Sequence, residues 1–322
     1  MSKLRAPFPY FGGKRLVASR VWELLGDPGH YIEPFAGSAA VFLARPETDG
    51  FKMETLNDAD GWVVNLWRAL QHDPEKVASY CVGPVTEPDL HARNYWLNSR
   101  QGPGLVDWLA GDPEHHDPKA AAWWLYTVAA AIGSIHSSGG WVVEDGFMVK
   151  GEGTGITRGK PYTAHPGRGI HAMGMRGDGA IADHRKRLTE RFLGLSDRLS
   201  GTRILCGDWK RAVTESTMFT LKNRPPGVFL DPPYLVSSAF YFASDDVTDL
   251  HTEIREWCLE YGDRVSIVLC GYEEEHDELL ENGWGTELGR GKRKLYGRKT
   301  ARQETLWTSP ATKMNQNRRI QW

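Results

Sequence analysis

The segment Val228-Phe229-Leu230-Asp231-Pro232-Pro233-Tyr234 runs from apolar residues into an acid, two prolines and an aromatic. This combination can act on a planar amine, whose lone pair is delocalised into a ring and is therefore a poor nucleophile. The Asp231 carboxylate and a backbone carbonyl of the proline region can accept hydrogen bonds from the two N–H groups of such an amine. Those bonds favour a pyramidal nitrogen that attacks an electrophilic methyl group in line. Pro232 and Pro233 lack N–H groups and stiffen the loop, so carbonyl oxygens can face the substrate. The ring of Tyr234 offers a stacking face for an extruded base. As an isolated tetrapeptide the same residues would also serve as a turn that merely ends a buried strand.

Two earlier segments supply a place for a second reactant. Tyr31-Ile32-Glu33-Pro34-Phe35-Ala36-Gly37-Ser38-Ala39-Ala40 reads as a strand, a tight small-residue turn and the start of a helix. Such a crevice would present free N–H groups of the helix N-terminus to a carboxylate. About twenty residues beyond Gly37, Asn57-Asp58 follows a second strand, where an α/β nucleotide fold hydrogen-bonds a ribose. One glycine stands where a dinucleotide fingerprint has three, which suits a cofactor without pyrophosphate. Pro9-Tyr10-Phe11-Gly12-Gly13-Lys14 adds two aromatics, close backbone approach and a positive charge.

These residues need elements to hold them. Val17, Val21, Leu24 and Leu25 fall at helical spacing, and Ala39 to Leu43 is expected to begin another helix. Strands are expected around Met53 to Leu56, Arg203 to Cys206, Gly227 to Leu230, Arg264 to Cys270 and Gln303 to Thr308, with a helix over Asp249 to Tyr261. The middle of the chain breaks this alternation. Ala120 to Ile132 reads as a buried helix, and Asp145-Gly146 between apolar triplets reads as a hairpin turn. Residues 151–179 are glycine-rich and too long for an ordinary connection. His184 to Leu199 is helical, with Leu188, Phe192, Leu195 and Leu199 on one face. The expectation is an α/β core, 1–80 with 201–310, interrupted by a mainly helical insert over 81–200 and followed by a polar tail over 311–322.

Bulk properties set limits on the partners. The chain has 322 residues, 40% hydrophobic and 25% charged, within the ordinary globular range. A formal net charge of −2 gives no overall attraction for nucleic acid, so any such contact must come from local clusters. Cys81, Cys206, Cys258 and Cys270 are scattered without a metal or disulfide pattern, which fits a reducing cytoplasm. The N-terminus lacks the apolar stretch of a signal peptide, and no apolar run is long enough for a membrane span. The eleven histidines show no metal-ligand spacing, and the His115-His116 pair reads as an exposed loop. Most of the thirteen tryptophans are expected in the core.

In order and spacing, the aromatic-x-Gly-Gly-Lys, Glu-Pro-Phe-x-Gly, Asn-Asp and Asp-Pro-Pro-Tyr segments resemble the Dam-like family of adenine-N6 DNA methyltransferases, from about Pro7 to Thr308. The resemblance implies a Rossmann-like S-adenosylmethionine-dependent core with an inserted target-recognition domain, and methyl transfer to the N6 amine of a flipped adenine. It implies a cofactor site lined by Tyr10, Phe11, Gly12, Gly13, Lys14, Glu33, Pro34, Phe35, Ala36, Gly37, Ser38 and Asp58. Asp208 and Trp209 of Gly207-Asp208-Trp209 would hold the cofactor's adenine, and Asp231, Pro232, Pro233 and Tyr234 the target base. The implied partner is double-stranded DNA, with or without a companion restriction enzyme; neither a metal nor a membrane is called for. The chain departs from the family at Pro9, where many relatives carry a lysine that contacts DNA. Ser137 to Trp141 matches the family's Asn/Arg-rich hairpin only loosely.

For DNA contact the sequence offers Lys292, Arg293, Lys294, Arg298 and Lys299 around Tyr296, together with the basic residues of the helix from Arg185. A basic run with an interleaved aromatic suits phosphate contact, although such a run also occurs as a solvated hairpin. Trp141 is the tryptophan placed to touch DNA. Two other readings stand beside this one. The first is methyl transfer to another planar amine: cytosine N4, an RNA adenine or a protein glutamine. The second is a catalytically silent binding module with the same fold.

Overall fold

The computed structural model describes residues 4–8, 14–47, 49–50, 52–82, 87–99, 104–130, 141–144, 147–150, 181–222, 224–233, 244–272, 274–289, 293–294, 301–302 and 304–312. In chain order the elements begin with α1 (Ala18–Leu25), β1 (His30–Glu33) and β2 (Met53–Asp58). Five helices follow: α2 (Gly61–His72), α3 (Pro74–Cys81), α4 (Glu87–Asn98), α5 (Gly104–Gly111) and α6 (Pro118–Ala130). Next come β3 (Trp141–Glu144), β4 (Phe147–Lys150), α7 (Ile181–Leu199) and β5 (Thr202–Cys206). The last part holds α8 (Glu215–Met218), β6 (Pro226–Leu230), α9 (Ser244–Tyr261), β7 (Ser266–Tyr272), β8 (Gly285–Leu288), β9 (Arg293–Lys294), β10 (Ala301–Arg302) and β11 (Glu304–Thr308). They form two compact units: Met1–Gly12 with Ala59–Gly207, and Gly13–Asp58 with Asp208–Trp322.

The second unit has the mixed α/β character expected from the sequence. It carries six neighbouring strands in the order β2-β1-β6-β7-β11-β8. β1 pairs in parallel with both β2 and β6, and β6 with β7, while β11 runs antiparallel to β7 and β8. Tyr31, Ile32, Val228, Phe229, Leu230, Ile267, Val268 and Leu269 are fully buried. Consecutive residues buried alike, rather than alternately, mark strands covered on both faces. The direction of the sheet order reverses at β1, whose neighbours β2 and β6 lie on opposite sides. In open parallel sheets a ligand crevice forms beyond the strand ends at such a point. Because β11 opposes its neighbours, its first residue Glu304 lies at the edge where β1, β6 and β7 end.

One expectation is corrected. Ala39 to Leu43 does not form the start of an α-helix; a single 3-10 turn spans Phe42–Ala44. Gly37 and Ala39 both adopt positive φ, 44° and 47°, which interrupts the helical path. Pro46 then disfavours a helical conformation at Arg45, so the turn cannot propagate.

The first unit is helical around its own core. α6 packs on α2, α3 and α4, and α7 packs on α2 and α3. Leu188, Phe192, Leu195 and Leu199 are fully buried, as their shared helical face predicts. Asp60 caps α2 by accepting a hydrogen bond from the Trp62 N–H at 2.8 Å, and Pro74 starts α3 where a missing N–H costs nothing. Arg68 is buried, with its charge dispersed over backbone carbonyls: two bonds to Ile204 and one to Asp112, at 2.8–3.0 Å. β3 and β4 pair antiparallel with Glu144 opposite Phe147, as the Asp-Gly signal predicts. The glycine-rich stretch 151–179 lies outside the described residues.

Candidate active site

The ends of β1, β2 and β6 bring three acids to one edge of the second unit, each held differently. Asp231 follows β6 directly, and its Oδ1 lies 2.7 Å from Lys14 Nζ. Lys14 opens a 3-10 turn over Lys14–Leu16 and is only 4% exposed. A buried ammonium needs compensation, and it has a second carboxylate, Glu304, at 3.0 Å. Burial works against the charge on Lys14, but Asp231 and Glu304 more than offset it and raise its pKa above the ordinary value. The result is an acid whose side chain stays about one-fifth exposed beside a fixed cation.

Glu33, at the end of β1, has the opposite setting. It is 2% exposed, and its Oε2 accepts hydrogen bonds from the Tyr31 hydroxyl at 2.8 Å and the Phe42 N–H at 3.1 Å. Burial pushes its pKa up to about 8; the two donors pull it down in part, and the charges of Asp231 and Asp58 push it up further.

The turn between these acids is fixed by the end of β2. Asp58 Oδ2 accepts from the Gly37 N–H at 2.8 Å, the Asn57 carbonyl accepts from the Ala36 N–H at 2.9 Å, and Asn57 Nδ2 donates to the Pro34 carbonyl at 3.0 Å. The N–H groups of Ala36 and Gly37 are thus both turned toward the end of β2 within the protein. Only glycine adopts the φ of 44° at position 37 without a Cβ penalty.

Aromatic rings line the same edge. Phe35 and Trp209 stack with centroids 6.0 Å apart and planes at 28°, and the edge of Trp257 meets Trp209 at 5.8 Å. Asp208 precedes Trp209 and caps its 3-10 turn by accepting from the Lys210 N–H at 2.8 Å. Among the described residues the buried Trp209 indole Nε1 has no acceptor, which leaves a donor for a ligand to satisfy.

Of the residues singled out from sequence, Lys14, Glu33, Pro34, Phe35, Ala36, Gly37, Ser38, Asp58, Asp208, Trp209, Asp231, Pro232 and Pro233 are all placed within the second unit. Tyr10, Phe11, Gly12, Gly13, Tyr234, Lys292, Arg298 and Lys299 lie outside the described residues. Trp141 is placed in β3, and Arg293 and Lys294 in β9, by backbone alone; β9 pairs with β10 as a two-stranded ribbon. Sequence reasoning missed three participants: Glu304, Tyr31 and His251, the last of which donates from Nε2 to the Pro233 carbonyl at 2.8 Å. Glu304 had one available signal, an acid opening a strand that runs against the rest. Tyr31 and His251 sit inside a strand and a helix, where nothing in their spacing separates them from core residues.

Acids and aromatic rings gathered beyond the ends of parallel strands, beside a switch in strand order, mark the place where open α/β sheets bind ligands. Residues 10–124 match the family described as D12 class N6 adenine-specific DNA methyltransferase. That stretch is similar to the family, and it carries the aromatic-x-Gly-Gly-Lys, Glu-Pro-Phe-x-Gly and Asn-Asp segments of the resemblance. The matched stretch contains Lys14, the Glu33–Ser38 turn and Asp58; Asp208, Trp209 and Asp231 to Tyr234 lie beyond it. No curated protein matches the chain. Among the described residues no helix is long and apolar enough to cross a membrane.

Proposed function

We propose that the chain transfers a methyl group from S-adenosylmethionine to the N6 amine of an adenine turned out of double-stranded DNA. The observation that carries this reading is the placement of Asp231, with Lys14 against one oxygen, across the sheet's switch point from the Glu33–Ser38 turn. The donor set fits the cofactor. Asp58 and Asp208 are acceptors for ribose hydroxyls and adenine N–H groups, Phe35 and Trp209 offer an aromatic face, and Glu33 supplies an acid at the strand end. When bound, S-adenosylmethionine supplies an electrophilic methyl group on a sulfonium.

The chain's own residues do the rest. Asp231 and a carbonyl of the Pro232-Pro233 segment would accept hydrogen bonds from the two N–H groups of the amine, favouring a pyramidal nitrogen. Its lone pair takes the methyl group as the bond from methyl to sulfur breaks, leaving a neutral thioether, and the nitrogen sheds one proton to solvent. Lys14 keeps the Asp231 carboxylate oriented through its contact with Oδ1. Tyr234 stacks on the extruded base. On this reading the catalytic core is 1–80 with 201–310, Rossmann-like in type. The insert over 81–200 carries target recognition, including Trp141, and Lys292, Arg293, Lys294, Arg298 and Lys299 contact phosphates.

The test is to express the chain in cells lacking adenine methylation and to sequence their DNA with modified-base detection. N6-methyladenine at a defined motif is the expected result. N4-methylcytosine, or modification confined to RNA, would move the activity to another planar amine. Cofactor binding without methylation of any acceptor would leave a silent binding module.

A further inference from the structure

The proline segment that carries the proposed chemistry is short of backbone handles. Neither Pro232 nor Pro233 has an N–H, so only their carbonyls can be tied to the rest of the protein. The Pro233 carbonyl is tied, by His251 Nε2 on α9 at 2.8 Å. A carbonyl oxygen only accepts, so Nε2 carries the proton and Nδ1 is the bare nitrogen of a neutral ring. His251 is 1% exposed, and among the described residues Nδ1 has no partner, so this bond is the ring's polar contact there.

A second histidine holds the first in place. His276 lies parallel to His251, with centroids 5.4 Å apart and planes at 10°, and meets the edge of Trp307 at 5.0 Å. It is fully buried, and neither ring nitrogen has a hydrogen-bond partner among the described residues. Its ring lies against β7: a Cβ at Gly271 would come within 2.9 Å of His276 Cδ2. His251 is thus clamped against a wall that rests on the strand next to β6.

We infer that His251 is a positioning residue of the methyl-transfer site, holding the Pro233 carbonyl while His276 fixes the plane of its ring. That carbonyl lies in the peptide plane joining Pro233 to Tyr234. Fixing its oxygen therefore fixes the plane from which the stacking residue departs. The inference rests on the function proposed above.

The test uses the full-length chain and tritiated S-adenosylmethionine on methylation-free genomic DNA, with three variants. His251→Phe keeps a flat ring and removes the donor. His251→Gln restores an N–H near the position of Nε2, whereas the shorter His251→Asn places its N–H near Nδ1. Misplacing a reacting group by an ångström costs up to about 100-fold. His251→Phe is therefore expected to lower kcat by roughly 10- to 100-fold, with cofactor affinity by calorimetry within about twofold of wild type. His251→Gln should recover most of that loss and His251→Asn should not. Where the Phe variant fails to fold, the Gln and Asn pair carries the comparison. Wild-type kcat in His251→Phe, or equal loss in folded Gln and Asn variants, overturns the positioning role while leaving the proposed function intact. A wild-type chain that methylates no DNA overturns the functional reading and this assignment with it.

Discussion

The end of β1 and the end of β6 lie on neighbouring strands of one sheet, and each presents a carboxylate, yet they are built on different physics. At β6, Asp231 is partly exposed and faces a buried ammonium shared with Glu304. At β1, Glu33 is buried against a hydroxyl and a backbone N–H, with its pKa pushed up to about 8 by burial. The turn after it is held by backbone geometry and the Asn57-Asp58 bonds. One end is organised by charge and stays accessible; the other is organised by neutral hydrogen bonds and stays closed. Environments that push like groups apart are how two acids in one site take separate tasks. On the proposed function, Asp231 is the acid that meets the substrate, while Glu33 shapes the turn that would lie beneath the cofactor.

The largest expected effect comes from weakening the charged end. Asp231→Asn should lower kcat by about 10²- to 10³-fold, the usual cost of losing one preorganised polar group at a reacting centre. Folding should survive, because Glu304 still faces Lys14 at 3.0 Å. Thermal unfolding and turnover with labelled cofactor check the two halves. A folded variant with near-normal turnover would show that the charged end is structural.

The neutral end predicts a pH effect. Glu33 has its folded pKa raised from an ordinary 4.5 to about 8. Between those values the folded chain holds a proton that the unfolded chain has lost. Its contribution to stability is therefore complete below about pH 4.5 and is lost as pH rises through about 8. Glu33→Gln keeps an acceptor for the Phe42 N–H and removes the titration. The stability of wild type relative to this variant should fall by about 1.4 kcal/mol per pH unit, or about 3 kcal/mol between roughly pH 5.5 and 7.5. Denaturant unfolding of both proteins at matched ionic strength reads this difference. Parallel curves would mean that Glu33 is ionised in the fold, and the contrast with Asp231 would collapse.

How much of this contrast was legible in the sequence follows from what each kind of residue leaves there. β6 and Asp231-Pro232-Pro233 were readable because four apolar residues stop at an acid and two prolines, a local pattern that dictates a strand end. Gly37 and Asn57-Asp58 were readable for the same reason. The helix expected over Ala39 to Leu43 was not formed, because composition shows good helix formers but not the positive φ that the Asp58 contact imposes at Gly37 and that recurs at Ala39. β8 carries no strand signal, because Glu287 is half-buried and Leu288 exposed, the reverse of the apolar-in, polar-out alternation that marks a strand. Lys14 was readable as a positive charge near the site. Its attachment to Asp231 and Glu304 was not, since these residues are more than two hundred positions away and meet only through the sheet order.

A smaller effect separates binding from chemistry. Asp58→Ala removes the acceptor of the Gly37 N–H and the proposed acceptor for the ribose hydroxyls. A charge-assisted hydrogen bond is worth about 1.5–3 kcal/mol, so cofactor affinity should fall by about tenfold or more. Turnover at saturating cofactor should change much less than in Asp231→Asn. Calorimetric titration with S-adenosylmethionine supplies the first number and initial rates the second. Equal affinity in the two proteins would remove Asp58 from the cofactor site.

The smallest effect tests whether backbone geometry alone sets the turn at the neutral end. Ala39 adopts φ 47°, and a non-glycine residue in that region carries about 1–2 kcal/mol of strain. Ala39→Gly relieves that strain. Against the relief stand a fully buried methyl group, worth about 0.8 kcal/mol, and the extra freedom glycine gives the unfolded chain, about 0.5–1 kcal/mol. These terms nearly cancel, so the substitution should change stability by less than about 1 kcal/mol in either direction. Gly37→Ala is the control in the same turn: it adds a Cβ at φ 44° with no strain to relieve, and should cost about 1–2 kcal/mol. Unfolding midpoints of the two variants against wild type make the comparison. If Ala39→Gly costs more than Gly37→Ala, the turn is held by side-chain packing at Ala39, and the backbone account of the β1 end fails.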